Sequence, residues 1–135
     1  GDRMEKSCGT IIIKDDKVLV IKQKSTMDFG FPKGHMENET EVETAIRETK
    51  EEVNILVKVD TSKRYTISYL VKNNIPKEVV YFVATVIDDK NMKKQDEEIS
   101  DILWVPIDEV RNILTHDNLK ELWDKVYSDI QNIVC

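Results

Sequence analysis

Apolar and polar positions along the chain follow two rhythms. Residues 8–14 (CGTIIIK) and 17–22 (KVLVIK) are β-branched runs flanking Asp15-Asp16, the pattern of a hairpin. Ser25 to Lys33 interrupts that rhythm with Gly30 and Pro32 and reads as a loop. From Thr40 the period becomes helical. Val42, Ala45, Ile46, Thr49 and Val53 form one mostly apolar stripe, Thr40 with Glu43 fits a capping box, and Asn54 suits the left-handed residue that ends a helix. ILVKV and then KRYTISYLVK read as strands, Asn73-Asn74-Ile75-Pro76 as a turn, and EVVYFVATVI as the most strand-like segment. Asp88 to Ser100 is polar and charged, hence a loop. ILWVP is a short strand that Pro106 breaks, ahead of a short amphipathic helix over Asp108 to Leu114. Asn118 with Glu121 suggests a second capping box. The helix after it carries Leu119, Leu122, Trp123, Val126, Ile130 and Ile133 on one face, which makes Trp123 a core residue.

Strands distributed around one central helix, with a docking helix at the end, imply an α/β class of the α+β type with a mixed sheet. At 135 residues one domain over residues 4–135 is expected, and no repeat, low-complexity tract or linker divides it. Gly1-Asp2-Arg3 ahead of Met4 reads as an added leader outside the fold. Hydrophobic content of 40% and charged content of 34% are ordinary for a soluble protein. No apolar run approaches the roughly 20 residues that span a bilayer, and no signal-peptide core is visible at the N-terminus. Cys8 and Cys135 make neither a disulfide framework nor a metal spacing, so a cytoplasmic location is expected, with Cys8 buried and Cys135 in an exposed tail.

The polar side of the central helix changes the picture. Glu48, Glu51 and Glu52 stand at i, i+3 and i+4, within an arc of about 100° beside the apolar stripe. Like charges so placed repel, and negative charge is unfavourable near a helix C-terminus. Arg47 and Lys50 fall off the carboxylate arc, so the helix is expected to offer little compensation. A solvated acidic face is one reading; a site for a hard divalent cation is the other. The net charge of −6 disfavours general nucleic-acid binding. For an anionic substrate it also requires bound cations to reverse the local field.

The run PKGHMENETEVETAIRETKEEVNI resembles the signature box of the Nudix hydrolases, G-x5-E-x7-R-E-U-x-E-E-x-G-U with U apolar. Gly34, Glu39, Arg47, Glu48, Glu51, Glu52 and Ile55 match it. The PKGH opening and ETAIRETKEE are especially similar to the diadenosine tetraphosphate hydrolase branch. Three departures stand out: the spacing is G-x4-E, Asn54 replaces the last glycine, and Thr49 replaces an apolar residue.

The resemblance implies a Nudix-like α/β/α sandwich and a metal-dependent pyrophosphohydrolase. Glu48, Glu51 and Glu52 would hold Mg²⁺ or Mn²⁺, which polarises phosphoryl oxygens and acidifies water. Arg47 would orient the carboxylates by pairing with Glu39 or Glu51. Lys33 and His35 would border the phosphate channel, and His35 is also suited to give a proton to the leaving phosphate. KNNIPKEVVYF resembles a segment in which Lys77 binds phosphate with Tyr81 nearby, and Tyr69 matches an aromatic that stacks on adenine. Half-buried strand positions are the ordinary fate of such tyrosines. Glu98, or Glu97 as alternate, would add a carboxylate as general base or metal ligand.

The substrate expected is a nucleoside polyphosphate, diadenosine tetraphosphate split to AMP and ATP. Within the family the alternatives are 5′-triphosphate RNA, nucleotide sugars, ADP-ribose, diphosphoinositol phosphates and oxidised nucleotides. A nucleotide-sensing module without catalysis is the rival from another class; retention of every box glutamate argues against it.

Overall fold

The structure, a computed structural model, describes residues 4–134, with side chains up to residue 131. Gly1-Asp2-Arg3, Cys135 and the side chain of Ile133 lie outside the described residues. Strands β1 (Glu5–Lys14) and β2 (Lys17–Gln23) form the hairpin. Its two turn residues, Asp15 and Asp16, have φ of 50° and 62°. Positive φ at both positions is what a tight turn matching strand twist requires. Then follow β3 (Phe29–Gly30), β4 (Lys33–His35), helix α1 (Glu41–Val53), β5 (Leu56–Val71), β6 (Ile75–Asp88), β7 (Ile99–Pro106) and helices α2 (Val110–Ile113) and α3 (Asp117–Val134).

Among the described residues the sheet has seven strands, ordered β3-β2-β1-β6-β5 along its main path, with β4 on β1 and β7 on β2. Strand β1 is its hub. The start of β1 pairs antiparallel with β4 and parallel with β6, and its tip pairs with β2. One parallel pairing among antiparallel ones makes the sheet mixed, as the element order predicts.

Helix α1 covers one face: Ala45 packs with Cys8, Val80 and Phe82, and Val53 with Ile12, Leu19 and Ile55. Helix α3 covers the other, where Leu119, Leu122, Trp123 and Val126 meet Ile11, Phe31, Val79 and Tyr81. The result is an α/β/α sandwich, with Trp123 and Cys8 buried. No helix among the described residues is long and apolar enough to cross a membrane.

Local expectations hold where neighbouring residues decide them. Thr40 and Glu43 close the capping box in both directions, and Asn54 ends α1 at φ 53°. Thr49, where the family pattern wants an apolar residue, is fully buried, donates to the Ala45 carbonyl and shares a hydrogen bond with Thr10. A satisfied hydroxyl can take an apolar position.

Four expectations need correction, the first two because pairing elsewhere overrides local pattern. ILVKV and KRYTISYLVK are one strand, β5, carried through a register shift between Asp60 and Arg64 by its continuous partner β6. Within the expected loop of Ser25 to Lys33, Phe29–Gly30 is strand β3 and Lys33 begins strand β4, because β2 and β1 offer them free edges. The segment around Asp108 is a 3₁₀ turn, Ile107–Glu109, leading into one turn of α2. Helix α3 starts at Asp117, so Asn118 lies inside its first turn. His116, tied to Asp28 at 2.8 Å, supplies the carbonyl that receives the Lys120 N–H.

Candidate functional site

Helix α1 runs across the sheet so that its carboxylate flank overhangs β4. Glu52 is only 5% exposed, and its Oε1 accepts the backbone N–H of Lys33 at 2.9 Å. Glu48 lies against Gly34, where a Cβ would fall 1.8 Å from Glu48 Oε2. The glycine of the PKGH run is therefore what lets the Glu48 carboxylate lie where it does. Its φ is unexceptional. Glu51 is the most exposed of the three.

Arg47 corrects the expectation that the helix leaves its carboxylates uncompensated. Its guanidinium folds back over them, reaching Glu39 (2.6 Å), Glu51 (3.2 Å), Glu48 (3.5 Å) and the His35 carbonyl (2.9 Å). A flexible side chain can cross an arc that its Cα does not share. Glu39 gains most: Arg47, then Thr44, hold its carboxyl below the usual range. The one-residue-shorter G-x4-E spacing leaves this bridge intact.

The loop after β6 supplies the opposite rim. Lys93 and Gln95 donate backbone N–H groups to the carbonyls of Val53 and Glu52, capping the end of α1, and the Glu98 carbonyl accepts from Lys24. These bonds fix Glu97 and Glu98 beside the cleft.

The cationic residues come from the sheet face turned away from α1. In the ladder Ser7 pairs with His35 and Gly9 with Lys33; Lys77 pairs with Glu5 and with Tyr69. Paired residues share a face, so Lys33, His35, Lys77, Tyr69 and Tyr81 all project from one side while Gly34 presents its backbone to Glu48 on the other. Lys77 is 8% exposed, and burial, then the charge of Lys33, lower its affinity for a proton. His35 is solvent-exposed and 3.9 Å from Glu5.

One cavity of about 580 Å³ collects most of these groups: Lys33, His35, Arg47, Glu48, Glu51, Glu52, Lys77, Glu97 and Glu98. Tyr69 and Tyr81 lie outside it. They line a second, more apolar cavity of about 330 Å³ with Phe29, Phe31, Ile67 and Leu119, which shares Lys33 and Gln23 with the first. Tyr81 is buried, its ring edge-on to Phe31 at 5.6 Å. Sequence reasoning missed Ser7, Gln23 and Gln95 in the first cavity and the Asp28–His116 pair in the second. No local pattern flags them, because strand pairing brings Ser7 and Gln23 there and contacts between distant connecting segments bring Gln95, Asp28 and His116.

The first cavity is electrostatically unbalanced. Burial, then the neighbouring Glu51 carboxyl, push Glu48 up to about 7. Burial pushes Glu52 up to about 8, against the help of the Lys33 N–H. The charge of Glu98 acts on both in the same direction. Among the described residues no three acidic, His or Cys side chains converge as a preformed metal centre, since Glu51 turns to Arg47. The donor set nonetheless fits a hard divalent cation. It is all oxygen, it faces one cleft, and burial makes Glu48 and Glu52 within it resist ionisation.

The NUDIX domain profile matches residues 5–126. No curated protein matches the chain. Among solved structures, the C. elegans Ap4A hydrolase in a binary complex superposes with a TM-score of 0.83 at 24% identity, covering 95% of this chain and 98% of that one. A NUDIX hydrolase from Nitrosomonas europaea gives 0.77 at 19% identity, covering 93% and 89%. A NUDIX-family hydrolase from Clostridium perfringens gives 0.74 at 20%, covering 98% and 99%. At such identities the likeness establishes the fold.

Proposed function

Since the chain belongs to the Nudix family, we propose that its cleft hydrolyses a nucleoside polyphosphate with Mg²⁺ or Mn²⁺, diadenosine tetraphosphate being split to AMP and ATP. The observation that carries this reading is that the α1 carboxylates and the strand lysines line the same cavity. Glu48, Glu51, Glu52 and Glu98 would hold the cation, which when bound withdraws charge from phosphoryl oxygens and lowers the pKa of water.

The residues of the chain do the rest. Glu98 accepts the proton of the attacking water. Arg47 keeps Glu51 and Glu39 in place, so the donor set keeps its geometry through turnover. Lys33 and Lys77, with His35 at the mouth, grip the phosphate chain, and Tyr69 stacks on a base in the adjoining apolar cavity. Catalysis of this kind rests on positioning and electrostatics, with no covalent intermediate required of the protein. The similar C. elegans protein is an Ap4A hydrolase, and the PKGH run favours the same substrate here.

The test is a hydrolysis panel with Mg²⁺ over dinucleoside polyphosphates, nucleotide sugars, ADP-ribose and 5′-triphosphate RNA, with products separated by anion exchange. Equal AMP and ATP from diadenosine tetraphosphate, at the highest kcat/KM of the panel, is expected. A higher kcat/KM on any other member overturns the substrate assignment, and no turnover of any member overturns the reading altogether.

A further inference from the structure

Ser7 lies outside the helix and loops that carry the acidic half of the site. It sits on β1 between two neighbours, His35 of β4 on one side and Val79 of β6 on the other. It is 1% exposed and lines the cleft. Its Oγ is, among the described residues, the one buried side-chain polar atom without a hydrogen-bond partner. An unpaired buried hydroxyl costs free energy that an alanine would not, so its place in the wall calls for an explanation.

Lys77 poses the same question with a charge. It is nearly as buried, and among the described residues neither it nor Lys33 makes an ion pair; burial, then the charge of Lys33, lower the affinity of Lys77 for a proton, with Glu5 acting the other way. The ladder places Lys33, Ser7 and Lys77 on one sheet face across three adjacent strands, β4, β1 and β6. Two cations and a free hydroxyl around one recess match a tetrahedral anion, whose several oxygens accept from all three at once.

We propose that Ser7 is a substrate-contacting residue, its hydroxyl donating to a non-reacting phosphate that Lys33 and Lys77 hold by charge. The three form a subsite for the distal phosphate of a polyphosphate chain. This rests on the polyphosphate reading above and adds a residue to it. The hydroxyl stays unsatisfied until substrate arrives, which spends its hydrogen bond on binding and not on folding.

Calorimetric titration with inorganic tripolyphosphate and Mg²⁺, on the full chain carrying Glu52→Gln to prevent turnover, tests it. Added Ser7→Ala should weaken binding about tenfold, the scale of one hydrogen bond to a charged group. Ser7→Cys, similar in size with a weaker donor, should fall between and decides the matter if the alanine variant does not fold. Lys77→Met should weaken binding at least as much as Ser7→Ala. Without anion, the melting temperature of Ser7→Ala should equal or exceed its parent's, whereas a structural serine would lower it. If Lys77→Met weakens binding while both Ser7 variants bind as the parent does, the Ser7 assignment falls and the lysine reading stands. If tripolyphosphate does not bind the parent, both fall.

Discussion

On one side of the cleft, Glu48, Glu51 and Glu52 come from successive turns of α1; on the other, Lys33 and Lys77 come from separate strands that meet only because β1 lies between them. The acidic wall is tied together by Arg47 and the backbone of Lys33. Among the described residues the basic wall has no such ties: Ser7 Oγ lacks a hydrogen-bond partner, and Lys77 makes no ion pair. Both walls are unfavourable by themselves, one through crowded carboxylates, the other through a buried cation. On the function proposed above, an anionic phosphate chain carrying divalent metal would satisfy both at once, cation against glutamates and phosphate against lysines. On that reading the cleft is destabilised in the direction its ligand would relieve.

The largest effect expected from breaking one wall is on Glu52. Glu52→Gln should lower turnover about a thousandfold, the scale of removing one group from a catalytic constellation. Its melting temperature should hold or rise, because the substitution relieves a desolvated carboxylate. Steady-state kinetics with circular dichroism melting would check it, and near-parental turnover would sink the metal assignment.

Arg47→Lys should follow, lowering kcat roughly 10- to 100-fold and raising the Mg²⁺ concentration for half activity. An ammonium cannot bridge Glu39, Glu51 and the His35 carbonyl together.

Gly34→Ala separates position from stability. The clash falls on the movable end of Glu48, so the fold should lose less than about 1 kcal/mol. Displacing that carboxylate should still cost roughly tenfold in activity. A large drop in melting temperature would place the clash in the backbone instead.

The walls should also differ in their response to pH. Glu48 and Glu52 stand at about 7 and about 8 in the fold, above an ordinary 4.5. Between those limits the folded protein binds more protons than the unfolded chain, so stability falls as pH rises through the interval. In chelator the melting temperature should decline by a few degrees from about pH 5 to about pH 8. Mg²⁺ should restore it most at the alkaline end, and Glu52→Gln should flatten the slope.

The smallest effect belongs to the apolar cavity. Tyr69→Ala should raise KM for diadenosine tetraphosphate roughly three- to tenfold with kcat unchanged, the scale of one aromatic stacking contact. Unchanged KM would remove Tyr69 from the binding surface.

The contrast between the walls also separates what was legible in sequence from what was not. Thr40, Glu43, the apolar stripe and Asn54 specify α1 through contacts within a turn or two, and the helical period then carries Glu48, Glu51 and Glu52 to one flank. That much follows from local physics, and so does the Asp15-Asp16 hairpin. Arg47 marks the boundary: its i,i+4 pairing with Glu51 is local to α1 and was expected, whereas its hold on the His35 carbonyl depends on where β4 places that residue. Ser7 carried no signal at all. A serine at the start of a β-branched run is unremarkable until β4 and β6 close on either side of it.

From the sequence alone came the acidic helix flank, the caps that bound it and the mixed α/β character, because each depends on residues a few positions apart. The meeting of that flank with Lys33, Lys77 and Ser7, and the opening of an aromatic cavity beside them, belong to tertiary structure. Strand register sets which side chains share a face and which cross the sheet, and register is settled by pairing between distant segments that no local pattern encodes.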